Sequence, residues 1–119
     1  MVKIQNSRQY DLEDRTLKFA REAIAYVNRL PKTIPNTETG KQLVRASGSV
    51  GANYIEANES LSKKDFIMRI KISRKEAKES RYWLELTQPL EMGAADKQVL
   101  IQEATELTKI LSSILEKSK

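Results

Sequence analysis

Apolar residues recur every three or four positions along most of the chain, and no stretch alternates with period two, so helices are predicted and strands are not. Leu12, Leu17, Ala20, Ile24 and Val27 predict a first amphipathic helix over about 12–29. Pro31 and Pro35 then predict a short extended connection. Asn36 or Thr37 is placed to cap a second helix over about 37–57, with Glu38 near its positive end. Asn58 to Ser62 read as a turn, and Ser62 followed by Asp65 resembles a capping box in which Asp replaces Glu. A third helix over about 63–87 follows, stopped by Pro89 and Gly93, and a fourth over about 96–117 carries Leu100, Leu107, Leu111 and Ile114 on one stripe. Four helices with short connections predict an all-α, antiparallel up-down-up-down four-helix bundle occupying residues 1–119 as a single domain.

Two of these helices carry unusual patterns. The second contains Ala46, Ser47, Gly48, Gly51 and Ala52. Interior glycine costs about 1 kcal/mol relative to alanine, so close approach of a neighbouring helix is expected there. On a wheel of about 100° per residue the third helix divides into three stripes. Phe66, Ile70, Ser73, Ala77 and Leu84 form the expected core face. Lys64, Lys71, Arg74, Lys75, Lys78 and Arg81 fill a basic arc, and Met68, Ile72, Glu76, Glu79, Trp83 and Leu86 gather on a third face. A bundle helix needs one apolar stripe, so Met68, Ile72 and Trp83 predict a second contact, either between subunits or around a neighbouring helix.

Composition narrows the chemistry. The 119 residues contain no cysteine and no histidine, which removes disulfides, thiolate nucleophiles, cysteine zinc sites and the commonest general base. No cofactor, metal or catalytic residue is called for. The opening segment lacks the apolar run of a signal peptide, and no stretch reaches the roughly 20 apolar residues of a membrane span, so a cytoplasmic protein is expected. The formal charge is +5, and the excess is concentrated between Lys63 and Arg81, where basic residues outnumber acidic ones eight to three. Excess charge confined to one element points to a polyanionic partner.

The segment Arg45 to Glu56 (RASGSVGANYIE), with Ser62 to Phe66 (SKKDF) and Glu76 to Leu84 (EAKESRYWL), resembles the bacterial 23S rRNA intervening-sequence protein family. The resemblance implies a small four-helix bundle, assembled as a ring-like homo-oligomer that is typically a pentamer, and a biochemical activity that is poorly defined. It carries a polar motif onto Arg45, Ser49, Asn53 and Glu56, which lie within roughly 80° of one another on the second helix. Half-buried, these residues could satisfy one another, with Glu76, Glu79, Arg74 and Arg81 completing a network that is either architectural or ligand-binding. Asn58 stands where the family usually has Gly, and Ile55 directly precedes Glu56 where Ala is usual.

Three functions follow as expectations. The first is an oligomer associated with RNA or DNA through Lys64, Lys71, Arg74, Lys75, Lys78 and Arg81, binding backbone phosphate with little sequence readout. The resemblance points the same way: related genes lie inside intervening sequences of 23S rRNA genes, and the similar accessory protein of diversity-generating retroelements works with reverse transcriptase and nucleic acid. The second is an oligomeric scaffold for a protein partner, held together at Met68, Ile72 and Trp83. The third and most remote is a Mg²⁺-dependent enzyme using Glu56 with Glu59 and Glu76 with Glu79, superficially similar to all-α nucleotide pyrophosphohydrolases.

Overall fold

A computed structural model describes residues 2–119, with side chains described from Leu12 onward. Four helices run in succession, α1 (Val2–Asn28), α2 (Ile34–Asn58), α3 (Lys63–Leu86) and α4 (Ala94–Lys117), with a single 3₁₀ turn at Glu91–Gly93 leading into α4. Successive helices pack as neighbours. The α2/α3 contact is the most extensive and the α1/α4 contact the least, so the bundle is closed on three seams and slack on the fourth.

Thr33 rather than Asn36 or Thr37 caps α2, its hydroxyl accepting the Asn36 N–H, and Pro35 sits inside the first turn. A proline there is no obstacle, because the first N–H groups of a helix have no partner within it. Asn36 is thereby freed for another task. Its buried amide donates to the carbonyls of Pro31 and Gln88 and accepts the Gln88 N–H at 2.8 Å, joining the α1–α2 and α3–α4 connections. The Ser62 hydroxyl accepts the Asp65 N–H and starts α3 as the spacing predicts. Thr87 ends α3 in extended backbone, and the Lys97 ammonium donates to the Thr87 and Glu85 carbonyls just beyond the last turn.

The core is built from Leu12, Phe19, Ala23, Tyr26 and Leu30 on α1, Leu43, Val50, Tyr54 and Ala57 on α2, Ile70, Ala77 and Leu84 on α3, and Leu100, Ala104, Leu107 and Leu111 on α4. On α1 this differs from the expected stripe: Leu12 is inside, but Leu17 and Ile24 are exposed and Ala20 and Val27 lie at the edge. The buried series instead passes through Thr16 and Tyr26, whose hydroxyls have internal partners. Thr16 Oγ1 donates within its own helix, and Tyr26 meets Thr87 at 2.7 Å. Since Thr87 Oγ1 donates to the Leu84 carbonyl, Tyr26 is the donor in that pair. Burial, the larger cause, and the neighbouring Asp96 charge push the Tyr26 phenol up.

The glycines of α2 serve different ends. A methyl at Gly51 would come within 2.7 Å of Thr16 Oγ1, so this glycine is what lets α1 approach. Gly48 has open space where its side chain would be, and the close packing expected there is absent among the described residues.

Candidate nucleic-acid interface

The rotation of α3 about its axis is fixed from the inside. Ser73 Oγ donates to the Val50 carbonyl of α2 at 2.7 Å, and Ser80 Oγ turns back onto the Glu76 carbonyl, so small hydroxyls let α3 lie close to its neighbours without orphaning a polar group. Ile70, Ala77 and Leu84 fill the same inner face, as expected, with Phe66 half-buried at its end. Glu76, on the third stripe, is buried as well.

With this face inward, the outermost line of the helix runs through Lys64, Lys71, Lys75, Lys78 and Tyr82, all exposed. None of the four lysines has a hydrogen bond or ion pair among the described residues. The two arginines of the expected arc have other employment. Arg74 reaches Ser112 of α4 at 3.4 Å, and Arg81 donates to Glu85 at 3.1 Å and to Thr105 of α4 at 3.3 Å. The arc therefore resolves into a free lysine row and a pair of arginines leaning on α4.

The expected second apolar stripe divides in the same way. Met68 is exposed beside the lysines, where Ile67, Met68 and Ile72 floor a shallow, solvent-open depression of about 400 Å³ rimmed by Lys64, Lys71 and Lys75. Trp83 instead packs against the core, its indole N–H buried without an acceptor among the described residues. Its ring meets Tyr82 edge to face, centroids 5.1 Å apart and planes at 73°. Tyr82 was not among the expected site residues. Its signal was present, for it falls in the middle of the basic arc, where an aromatic has no core to fill.

The polar motif is only partly assembled within the chain. Asn53 donates to the Ser49 carbonyl at 2.9 Å and accepts from Arg69 at 3.1 Å, and Arg69 was not among the expected residues. Arg45 and Glu56 are exposed and, with the half-buried Glu79, take no partner among the described residues. The physical reason is angular: Asn53 lies on the edge of α2 that meets α3, whereas Arg45 sits about 80° farther round, toward solvent. One Glu76 carboxylate oxygen is buried and unpartnered. The Glu56/Glu59 and Glu76/Glu79 pairs do not converge: among the described residues no group of three or more acidic side chains could hold a metal ion.

A second concavity lies along the slack α1/α4 seam. It is an open groove of about 880 Å³ around Phe19 and Val99, crossed at one end by Arg15, which donates to both Glu103 oxygens at 2.7 and 2.9 Å. The hydrogen-bonded carboxylate holds the Arg15 guanidinium above its usual range. Arg29 and Asp96 bridge the seam at 3.0 Å farther along. No helix is long and apolar enough to cross a membrane among the described residues.

A family model described as 23S rRNA-intervening sequence protein matches residues 8–113. Among solved structures, the chain is similar to a protein of unknown function from the S23 ribosomal protein family of Bacteroides thetaiotaomicron. The two are 30% identical, with a TM-score of 0.75, over 91% of this chain and 97% of that one. No curated protein matches the chain.

Proposed function

Given that the chain belongs to the 23S rRNA-intervening sequence protein family, we propose that it associates with nucleic acid, RNA foremost, through the exposed face of α3. The observation that carries this reading is the row of Lys64, Lys71, Lys75 and Lys78, four cations on one helix face that form no ion pair among the described residues. Free ammonium groups in line suit phosphate oxygens, whose binding releases condensed counterions. Arg74 and Arg81 flank the row and can reach the same strand only by leaving their α4 partners. This reading includes no reaction, and the chain has neither histidine nor cysteine to offer one. In a retardation assay with RNA, affinity should fall steeply as salt rises toward the physiological range. The triple change Lys71→Glu, Lys75→Glu, Lys78→Glu should abolish binding while circular dichroism stays unchanged. Absence of binding by the unaltered protein at low ionic strength would refute the reading.

A second reading, a self-associating scaffold, is supported by apolar side chains left in solvent. Leu17 and Ile24 on α1 and Val44 and Ile55 on α2 are all exposed, flanking the outer side of the α1/α2 seam with Gly48 open between them. Exposed apolar residues grouped in this way suit a subunit contact. They suit it better than Trp83, which packs inward, although Met68 and Ile72 can add to it. Light scattering should give an assembled mass that Leu17→Glu with Val44→Glu reduces to that of one chain. A single-chain mass for the unaltered protein would eliminate the scaffold.

A further inference from the structure

We infer that the α3 face takes unpaired rather than duplex RNA, with Tyr82 as a stacking platform at the end of the lysine row. This inference rests on the nucleic-acid reading above and goes one step further, to the form of the strand and to a residue with a role of its own. Tyr82 is 59% exposed in a helix whose other side is fully packed. It lies seven residues from Lys75 and four from Lys78, which places all three on one line of the helix. Its ring meets Trp83 edge to face, centroids 5.1 Å apart, which steadies it against a side chain packed on the core while more than half of it stays in solvent.

The rest of the face repeats the same combination of cation and apolar surface. The depression floored by Ile67, Met68 and Ile72 lies among Lys64, Lys71 and Lys75. Met68 and Tyr82 are 14 residues apart, about four turns or roughly 21 Å along one side of the helix. A duplex has little use for either apolar station, because the π-faces of its bases are stacked inside and its surface offers phosphates, 2′-hydroxyls and base edges. An unpaired strand presents the π-faces of its bases, which aromatic side chains accept whatever the sequence. The acids nearest Tyr82 leave the row its charge: Glu85 is paired with Arg81, which leaves Glu79 as the single unpaired carboxylate beside it among the described residues.

The test compares a fluorescein-labelled single-stranded RNA of about 12 nucleotides with the same strand annealed to its complement, by anisotropy at low salt. Tyr82→Ala should weaken single-strand binding about tenfold, while Tyr82→Phe, which keeps the ring, stays within about twofold. Duplex binding should be weaker at the outset and indifferent to both changes, and the dependence of single-strand affinity on salt should keep its slope, because no cation is lost. Tyr82 is exposed, so its replacement leaves the fold intact, which circular dichroism checks. If Tyr82→Ala leaves single-strand affinity unchanged while the triple lysine variant abolishes it, the stacking inference fails and the basic-face reading stands. Equal losses on duplex and single strand would overturn it too. If the unaltered protein binds neither RNA, both readings fall together.

Discussion

Helix α1 has two neighbours and meets them by opposite means. Against α2 it lies close, because Gly51 leaves room for Thr16 and Gly40 for Val27. Against α4 it stands off across an open groove, held by the Arg15–Glu103 and Arg29–Asp96 pairs. The first contact depends on the absence of side-chain atoms and tolerates no addition. The second is spanned by long, partly solvated side chains and can lose one with little effect, since exposed ion pairs contribute at most about 1 kcal/mol. One helix is therefore both the fixed and the movable wall of the bundle, depending on the side considered.

The contrast is broken most severely at Gly51. Gly51→Leu should destabilise the fold by about 3 kcal/mol, because Thr16 is fully buried with its hydroxyl already engaged and cannot yield. Denaturant unfolding measures this, and a change below about 1 kcal/mol would show that α1 can slide away from α2. Three residues earlier the sign should reverse. Gly48→Ala meets no atom within 4 Å and should stabilise an isolated chain by about 0.5–1 kcal/mol through helix preference. A lower melting temperature together with a lower assembled mass would mean instead that another copy covers Gly48. The smallest effect belongs to the groove. Arg15→Gln should cost less than about 1 kcal/mol, given an arginine that is 41% exposed, and the loss should shrink further in high salt. A loss as large as that at Gly51 would show that the α1/α4 seam is no looser than the other.

The helices themselves were legible because their signals are local: the Ser62 cap, the prolines and the three-to-four spacing on α4 need only neighbours in sequence. What misled on α1 was the chemistry of the buried stripe. Thr16 and Tyr26 read as polar until their hydroxyl partners, supplied by their own helix and by Thr87, are known. The glycines of α2 look alike in sequence, and only the position of α1 distinguishes Gly51 from Gly48. At the candidate site the lysine row followed from periodicity alone. The diversion of Arg74 and Arg81 to Ser112 and Thr105, and of Asn53 to Arg69, did not, because long polar side chains choose partners on helices whose angle and distance the sequence does not state.

The Asn36 amide bears on folding as much as on architecture. Its bonds to Gln88 close a loop of 52 residues, so they cannot form before the α2–α3 hairpin has paired. That hairpin buries several small residues, Ala46, Ser47 and Gly51 on α2 and Ser73, Ala77 and Ser80 on α3, which offer little shape to prevent it from slipping a turn. In a slipped pairing Asn36 would keep its bond to the Pro31 carbonyl but lose both bonds to Gln88, leaving its amide oxygen without that donor, a penalty comparable to the few kcal/mol that separate compact alternatives. The residue thus works as a checkpoint: it adds little to the speed of pairing, and it rejects the pairings that are wrong.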